Sequence, residues 1–148
     1  MGLLRPVEPD DIQIFFAHQD DAEAAALAAF PRRDREAHAA HWARILADDD
    51  VLARTVLDAG QVAGNVVSFT AEGHRKVGYW LGRSFWGHGL GTAALAEFLG
   101  LVPARPLYAD VAEHNTAGRK VLARNGFTQI GRRSYPDDEV VELEFRLD

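Results

Sequence analysis

The chain has 148 residues, of which 47% are hydrophobic and 26% charged; this is typical of one globular domain, expected over residues 1–148, and argues against a disordered or fibrous chain. The net charge of −6 argues against a nucleic-acid partner. The absence of cysteine excludes disulfides and thiolate chemistry. No apolar run approaches a membrane span and no secretory signal pattern is present, so we expect a cytoplasmic protein with no membrane partner.

The first third of the chain is predicted to be mainly helical. A short strand over 3–7 is followed by Asp10 and Asp11, a residue type that often caps helix N-termini, and by the apolar residues of a first helix. An alanine-rich second helix is predicted over 21–29. Apolar residues at helical spacing predict a third helix over 34–47.

Beyond residue 50 the hydrophobic residues alternate with a period of two, which is typical of strands. The predicted strands cover residues 51–57, 61–71, 76–82, 107–111, 127–135 and 139–147. One helix is predicted after the glycine-rich segment 87–91 and another over 115–125. The order β-α-α-α-β-β-β-α-β-α-β-β predicts an α/β (α+β) fold with a mixed, mostly antiparallel sheet flanked by helices.

A glycine-rich segment between a predicted strand and a predicted helix is the sharpest functional signal. It reads Phe85-Trp86-Gly87-His88-Gly89-Leu90-Gly91-Thr92. Glycines permit tight turns and close approach of a ligand, and a helix N-terminus favours anions, so the segment predicts a phosphate or pyrophosphate site. It lacks the lysine of a P-loop and the glycine spacing of a dinucleotide fold. The alternative interpretation is a tight turn without a ligand.

This segment resembles the acetyl-coenzyme A loop of the GNAT acetyltransferases, which has the pattern Gln/Arg-x-x-Gly-x-Gly/Ala. Trp86 stands at the Gln/Arg position, followed by Gly89 and Gly91. A tryptophan there is similar to the branch of the family that acetylates the N-termini of ribosomal proteins. A second match begins at Asn115 and ends at Gly126-Phe127, and it resembles the second cofactor segment of the family.

The resemblance implies an N-acetyltransferase that moves the acetyl group of its cosubstrate acetyl-CoA to a primary amine of a small molecule, peptide or protein N-terminus by direct attack in a ternary complex. It also implies that the loop amides bind the pyrophosphate, leaving the side chains of Trp86, His88 and Leu90 free to vary. The strand before the loop and Asn115 would hold the pantetheine arm, and Arg119 would reach a phosphate. The implied cofactor-binding residues are Tyr79, Trp80, Leu81, Trp86, Gly87, His88, Gly89, Leu90, Gly91, Thr92, Asn115 and Arg119.

The resemblance does not identify the group that transfers the proton. Many family members have a tyrosine acid where this chain has Leu122, and the ribosomal branch often has serine where it has Gly118. Asp110 and Glu113, at the end of a strand expected to flank the cleft, are the candidate bases. The alternative interpretations are a solvated strand end and a charge at a helix start, with water carrying the proton from a positioned amine.

Competing functions are a non-catalytic coenzyme A-binding or sensing module and a small ligand-binding domain. No metal is expected, because His38 and His41 lie three residues apart without a third ligand. Segments 11–47 and 135–139 are expected to select the amine acceptor. The sequence also allows a homodimer.

Overall fold

The computed structural model describes residues 2–29, 32–134, 136 and 139–148. Its elements are β1 (Leu4–Pro6), α1 (Asp11–Gln19), α2 (Ala22–Ala28), α3 (Arg35–Ala47), β2 (Leu52–Asp58), β3 (Gln61–Ala71), β4 (His74–Leu81), α4 (Leu90–Leu99), β5 (Leu107–Ala112), α5 (Thr116–Arg124), β6 (Thr128–Ser134) and β7 (Val141–Leu147). The predicted order and fold class are confirmed. Tyr135, Asp137 and Asp138, within the predicted acceptor segment 135–139, lie outside the described residues.

The seven strands form one sheet in the order β1-β2-β3-β4-β5-β7-β6. Each neighbouring pair is antiparallel except β4 and β5, which run parallel and pair only where Lys76 lies opposite Tyr108. Beyond that point β4 stays with β3 and β5 stays with β7, so the facing edges of β4 and β5 diverge. We call the resulting gap between 77–81 and 109–112 the wedge.

Apolar cores cover both faces of the sheet. The larger core packs α4 and α5 against one face and includes Phe98 and Leu107, which are fully buried. The smaller core joins Phe15 of α1, Trp42 of α3 and Ala53 of β2 on the other face. None of the helices in the described part of the chain combines the length and the apolar character needed to cross a membrane.

The expectation that Asp10 or Asp11 caps α1 with its side chain is wrong. The Asp10 side chain makes no capping hydrogen bond, and Asp11 is buried as the first residue of the helix. The Asp11 carboxylate accepts hydrogen bonds from Arg5 at 2.7 and 2.9 Å and from Thr55 Oγ1 at 2.6 Å. Burial alone would raise the pKa of Asp11, but these bonds and one from the Glu8 N–H lower it to about 2. Asp11 therefore joins β1 and β2 to α1.

Candidate active site

The wedge opens into a cavity of about 630 Å³. Residues of β4 and β5 line its sides, and the start of α4 and one face of α5 line the part next to the larger core. The cavity thus lies where two strands of one sheet separate, and main-chain groups that pair elsewhere in the sheet are open to a ligand there.

Helix α2 bridges the wide end of the wedge. Near its N-terminus, Asp21 Oδ2 lies 2.9 Å from Nε of Arg83, which follows β4. Near its C-terminus, the Ala26 carbonyl oxygen lies 3.0 Å from Nε2 of His114, which follows β5. The residues that α2 and its C-cap present to the cavity are apolar: Ala24, Leu27, Ala28 and Ala29. The first helical region therefore supplies an apolar wall.

The edge of β4 presents main-chain groups to the wedge. The Gly82 N–H donates to the Ala63 carbonyl at 2.8 Å, toward β3. Main-chain groups alternate in direction along a strand, so those of Trp80 also face β3 while those of Tyr79 and Leu81 face the wedge. The Leu81 carbonyl accepts the indole N–H of Trp86 at 3.1 Å. The Tyr79 main chain has no partner on β5, because the two strands have already diverged.

The glycine-rich loop turns its backbone toward open space. Gly87 and Gly89 have φ angles of +80° and +76°, a region that favours glycine. A Cβ at either position would meet no atom within 4 Å, so backbone conformation and not packing requires these glycines. No side chain caps α4, and the N–H groups of Leu90, Gly91 and Thr92 have no partner within the helix. This arrangement suits a phosphate.

Two side chains of the loop pack against the larger core and fix the position of the loop. The expectation that Trp86, His88 and Leu90 vary freely is wrong for two of the three residues. Trp86 is half-buried and packs against the larger core, and Leu90 is a buried member of that core. Only His88 of these three is exposed. The chemistry of the loop is in its backbone, but its position depends on these apolar contacts.

Two cationic side chains of α5, which the sequence analysis did not identify as site residues, line the cavity. Lys120 and Arg124 are four residues apart and share a helix face, and neither has an ion-pair partner among the described residues. Arg119, which the resemblance implies as a phosphate ligand, does not line the cavity, and its Nη1 donates to the Glu113 carbonyl at 3.3 Å. Arg119 shares its helix face with Thr116 and Ala123, which also do not line the cavity, whereas Lys120 shares its face with Ala117 and Arg124, which do.

Asn115 lines the cavity and caps α5. Its Oδ1 accepts the Gly118 N–H at 3.0 Å, which leaves its amide group as a donor for a ligand. A Cβ at Gly118 would lie 2.8 Å from the Asn115 Nδ2 and 3.0 Å from the Val111 Cγ2. The serine of the ribosomal branch therefore does not fit here unless Asn115 and Val111 move, which accounts for the glycine.

Tyr79 brings a hydroxyl to the cavity, and Leu122 brings none. Burial raises the pKa of Tyr79 to about 12, so its hydroxyl keeps its proton and acts as a donor at neutral pH. Leu122, at the position of the family tyrosine, is 4% exposed and belongs to the larger core. Leu122 therefore contributes packing, and proton transfer requires another group.

The structure separates the two carboxylates that the sequence predicted as bases. Asp110 lines the cavity, with its Oδ2 2.7 Å from the Nζ of buried Lys76. Glu113 does not line the cavity and pairs with Arg132 at 3.0 Å; the hydrogen bond from Arg132 lowers the pKa of this exposed carboxyl. A third carboxylate, Glu142 of β7, lines the cavity, although no sequence motif indicates it.

His38, one of the two histidines for which no metal is expected, is buried beside the smaller core. His38 is 4% exposed, and its ring lies 5.5 Å from that of Phe16 and 6.4 Å from that of Trp42. Across the described residues, no group of three or more His, Asp or Glu side chains is placed to hold a metal ion.

The family model of the acetyltransferase (GNAT) domain matches residues 3–128, so the chain belongs to the GNAT acetyltransferase family. This confirms the resemblance seen in the sequence, and the chain is an acyltransferase. The match ends at the first residue of β6, so β7 lies beyond it. No curated protein matches the chain significantly.

Three solved structures illustrate the similarity of fold; all are below 25% identity. Spermidine N-acetyltransferase from Vibrio cholerae, in complex with CoA and spermine, has 13% identity and a TM-score of 0.83, covering 97% of this chain and 93% of that chain. Mycobacterium smegmatis RimJ, in complex with CoA-disulfide, has 22% identity and a TM-score of 0.78, covering 97% and 80%. RimL, a ribosomal L7/L12 alpha-N-protein acetyltransferase in complex with coenzyme A, has 18% identity and a TM-score of 0.78, covering 97% and 92%.

Proposed function

We propose that residues 1–148 act as one domain that transfers the acetyl group of acetyl-CoA to a primary amine of a small molecule, peptide or protein N-terminus. Family membership supports the acyl donor. Two similar proteins are named for amine acceptors, spermidine and the α-amino group of ribosomal protein L7/L12. In this proposal the amine attacks the thioester directly while both substrates are bound.

The open backbone of the glycine-rich loop is the observation that carries the proposal. The pyrophosphate would lie on the unpaired N–H groups at the start of α4, over Gly87, Gly89 and Gly91. Lys120 and Arg124 would add positive charge, because they line the same cavity without carboxylate partners. Backbone N–H groups, a helix dipole and two cations together form a site for a strongly charged anion. Trp86, His88, Leu90 and Thr92 complete the proposed loop contacts.

The pantetheine arm would lie in the wedge. The Tyr79 main chain offers a donor and an acceptor in the direction where β5 is absent, so an amide chain can add there like a strand. Leu81 continues this edge, Trp80 lines the cavity although its main chain faces β3, and the Asn115 amide reaches the wedge from the start of α5. Arg119 is a weaker candidate, because it bonds the main chain outside the cavity.

The acceptor would enter from the side of α2. The lining of the cavity combines the apolar wall of α2 with the carboxylates of Asp110 and Glu142. An ammonium group is attracted by this charge, and it must lose a proton before its nitrogen can attack. Of the two predicted bases, Asp110 lines the cavity near the start of the wedge and is our proposed contact for the amine, while Glu113 lies outside the cavity.

Thermal unfolding with and without coenzyme A tests the donor site. Binding to the folded state alone stabilises by about 2.7 kcal/mol at a hundredfold excess over Kd, so the melting temperature should rise. Gly89→Ala should abolish most of this rise by straining the loop. Gly60→Ala is the matched control, because Gly60 also has positive φ (+82°) and an open Cβ position but lies in the β2–β3 turn. An equal rise in Gly89→Ala would contradict the loop assignment.

Turnover tests the reaction itself. Release of coenzyme A thiol should be measured with acetyl-CoA and a panel of spermidine, kanamycin and a tetrapeptide with a free N-terminal alanine. Acetylation of any of these supports the enzyme. The replacement of the family tyrosine by Leu122 favours one second candidate, a coenzyme A-binding module without catalysis. Binding without acetylation of any amine would support that module.

A further inference from the structure

The register of β5 and β7 brings Glu142 next to Asp110. Glu142 lies opposite Ala112, and Asp110 lies two residues earlier on β5. Residues two apart share a face of a strand, so Asp110 and Glu142 are diagonal neighbours on the same face of the sheet. This is the face opposite to the larger core, which takes Leu107 and Ala109 of β5, and both carboxylates line the cavity.

The two carboxylates have different partners. Asp110 is held by Lys76, whose Nζ donates to its Oδ2 at 2.7 Å. The side chain of Glu142 accepts no hydrogen bond from the described residues, and its nearest cation, Arg133, is 3.9 Å from its Oε1. Arg133 is also paired with Glu144 and Glu72. The oxygens of Glu142 are therefore available to a ligand in the cavity.

The surroundings of Glu142 increase the affinity of its carboxylate for a proton. Burial and the charges of Asp110 and Glu72 raise the pKa of Glu142 above its usual range, against the opposing charges of Arg133 and Lys76. A base whose pKa lies nearer to neutral holds a proton from an amine better than one whose pKa is low. Glu113, in contrast, has a lowered pKa and lies outside the cavity.

We propose that Glu142 is the catalytic base that takes the proton from the acceptor amine, while the neighbouring Asp110, tied to Lys76, helps to hold the ammonium group. This inference rests on the proposed acetyl transfer and names a residue of that site. Glu142 lies beyond the region that the family model matches, so family membership does not assign this role to it.

The proposed step balances in atoms and charge. The ammonium group gives one proton to a Glu142 oxygen, and the nitrogen lone pair then forms the C–N bond to the acetyl carbon. The C–S bond breaks, and its electron pair leaves with the sulfur. The second proton of the nitrogen passes to that sulfur, which yields the amide and the free thiol. Glu142 returns its proton to water.

Kinetics of matched variants test the role. The substrate is the amine of the panel that is acetylated fastest. Glu142→Gln should lower kcat/KM by about 100-fold and remove the acidic limb from the pH profile of kcat/KM. The Kd for coenzyme A should be unchanged. Glu144→Gln is the control, since Glu144 is two residues away on β7, pairs with the same Arg133 and does not line the cavity. It should stay within about threefold of wild type. An acidic limb that survives in Glu142→Gln and moves only in Asp110→Asn would overturn the proposal.

A titration that needs no acceptor separates this proposal from the proposed function. In the coenzyme A complex, the side-chain carboxyl of Glu142 is followed by 13C NMR and assigned by its absence in Glu142→Gln. Its midpoint should lie above the ordinary 4.5 and should fall in Asp110→Asn, which removes a neighbouring negative charge. A midpoint at or below 4.5 overturns the role of Glu142. If coenzyme A binds but no amine is acetylated, the proposed transfer fails, and this titration still decides for or against the proton affinity of Glu142.

Discussion

Single residues of the candidate site combine a structural and a binding role. Asn115 uses its oxygen to cap α5 and keeps its amide donors for the wedge. Glycines near it act for different reasons: Gly89 supplies a left-handed backbone, whereas Gly118 supplies the space that the Asn115 side chain fills. The capping role and the binding role of Asn115 can therefore be separated by a substitution that keeps the first and removes the second.

Asn115→Asp separates capping from ligand binding. Aspartate caps a helix as well as asparagine does, so the stability without ligand should stay within about 0.5 kcal/mol of wild type. The variant lacks the amide donor, so coenzyme A should bind about tenfold more weakly, which corresponds to one lost hydrogen bond. Calorimetric titration measures the affinity, and Asn115→Ala, which also loses the cap, should unfold at a lower temperature. Equal affinity in Asn115→Asp would show that Asn115 does not contact the cofactor.

At the scale of elements, the divergence of β4 and β5 creates the site. The last paired position is Lys76 opposite Tyr108. The Nζ of Lys76 also donates a hydrogen bond to Asp110, which lies two residues further along β5. Burial lowers the pKa of Lys76, but the hydrogen bond and charge of Asp110, with the charge of Glu72, raise it overall. The ion pair thus connects the two strands where their hydrogen bonding stops.

Lys76→Met tests how strongly this ion pair stabilises the start of the wedge. The substitution leaves the partly buried Asp110 carboxylate without its donor, which should lower the free energy of unfolding by about 1–3 kcal/mol. Urea unfolding measures this loss. Arg132→Met breaks the exposed pair with Glu113 and should cost less than about 1 kcal/mol. A Lys76→Met loss no larger than that of Arg132→Met would mean that the pair adds little to the junction of the strands.

At the scale of the whole molecule, stability depends on pH through buried groups far from the cavity. Burial, with the charges of His41 and Arg33, lowers the pKa of His38 from 6.5 to about 4. The unfolded chain therefore binds this proton first as the pH falls. The contribution of neutral His38 is fully present above about pH 6.5 and is lost as the pH falls to about 4. Asp11 acts later, between 3.8 and about 2.

His38→Gln should reduce the loss of unfolding free energy between about pH 6.5 and about pH 4. Wild-type protein should lose about 2–3 kcal/mol of unfolding free energy between pH 7 and pH 4 on account of His38, since one pKa unit corresponds to about 1.4 kcal/mol. The variant should be less stable than wild type at pH 7 and lose less on acidification. Urea unfolding at several pH values measures how the unfolding free energy of each protein depends on pH. Equal slopes for wild type and variant would mean that groups other than His38 cause the loss.

The sequence by itself determined the parts of this protein that depend on contiguous residues. The order of strands and helices, the glycine-rich loop before α4 and the start of α5 near Asn115 all follow from local spacing. A strand pattern, a positive-φ glycine and a helix start are properties of a few neighbouring residues, and these were sufficient to recognise the family. Local spacing was less reliable at Asp10 and Asp11, because Asp11 is buried in an ion pair with Arg5 and does not cap the helix.

Only the tertiary structure decided which side chains meet in the cavity. Helical phase and packing direct Lys120 toward it and Arg119 away, and the β5–β7 register places Glu142 near Asp110 while Glu113 turns to Arg132. Residues 110 and 142 are separated by a helix and a strand, and no local pattern states how distant strands align. Register comes from burying one face of each strand, which is a property of the whole sheet.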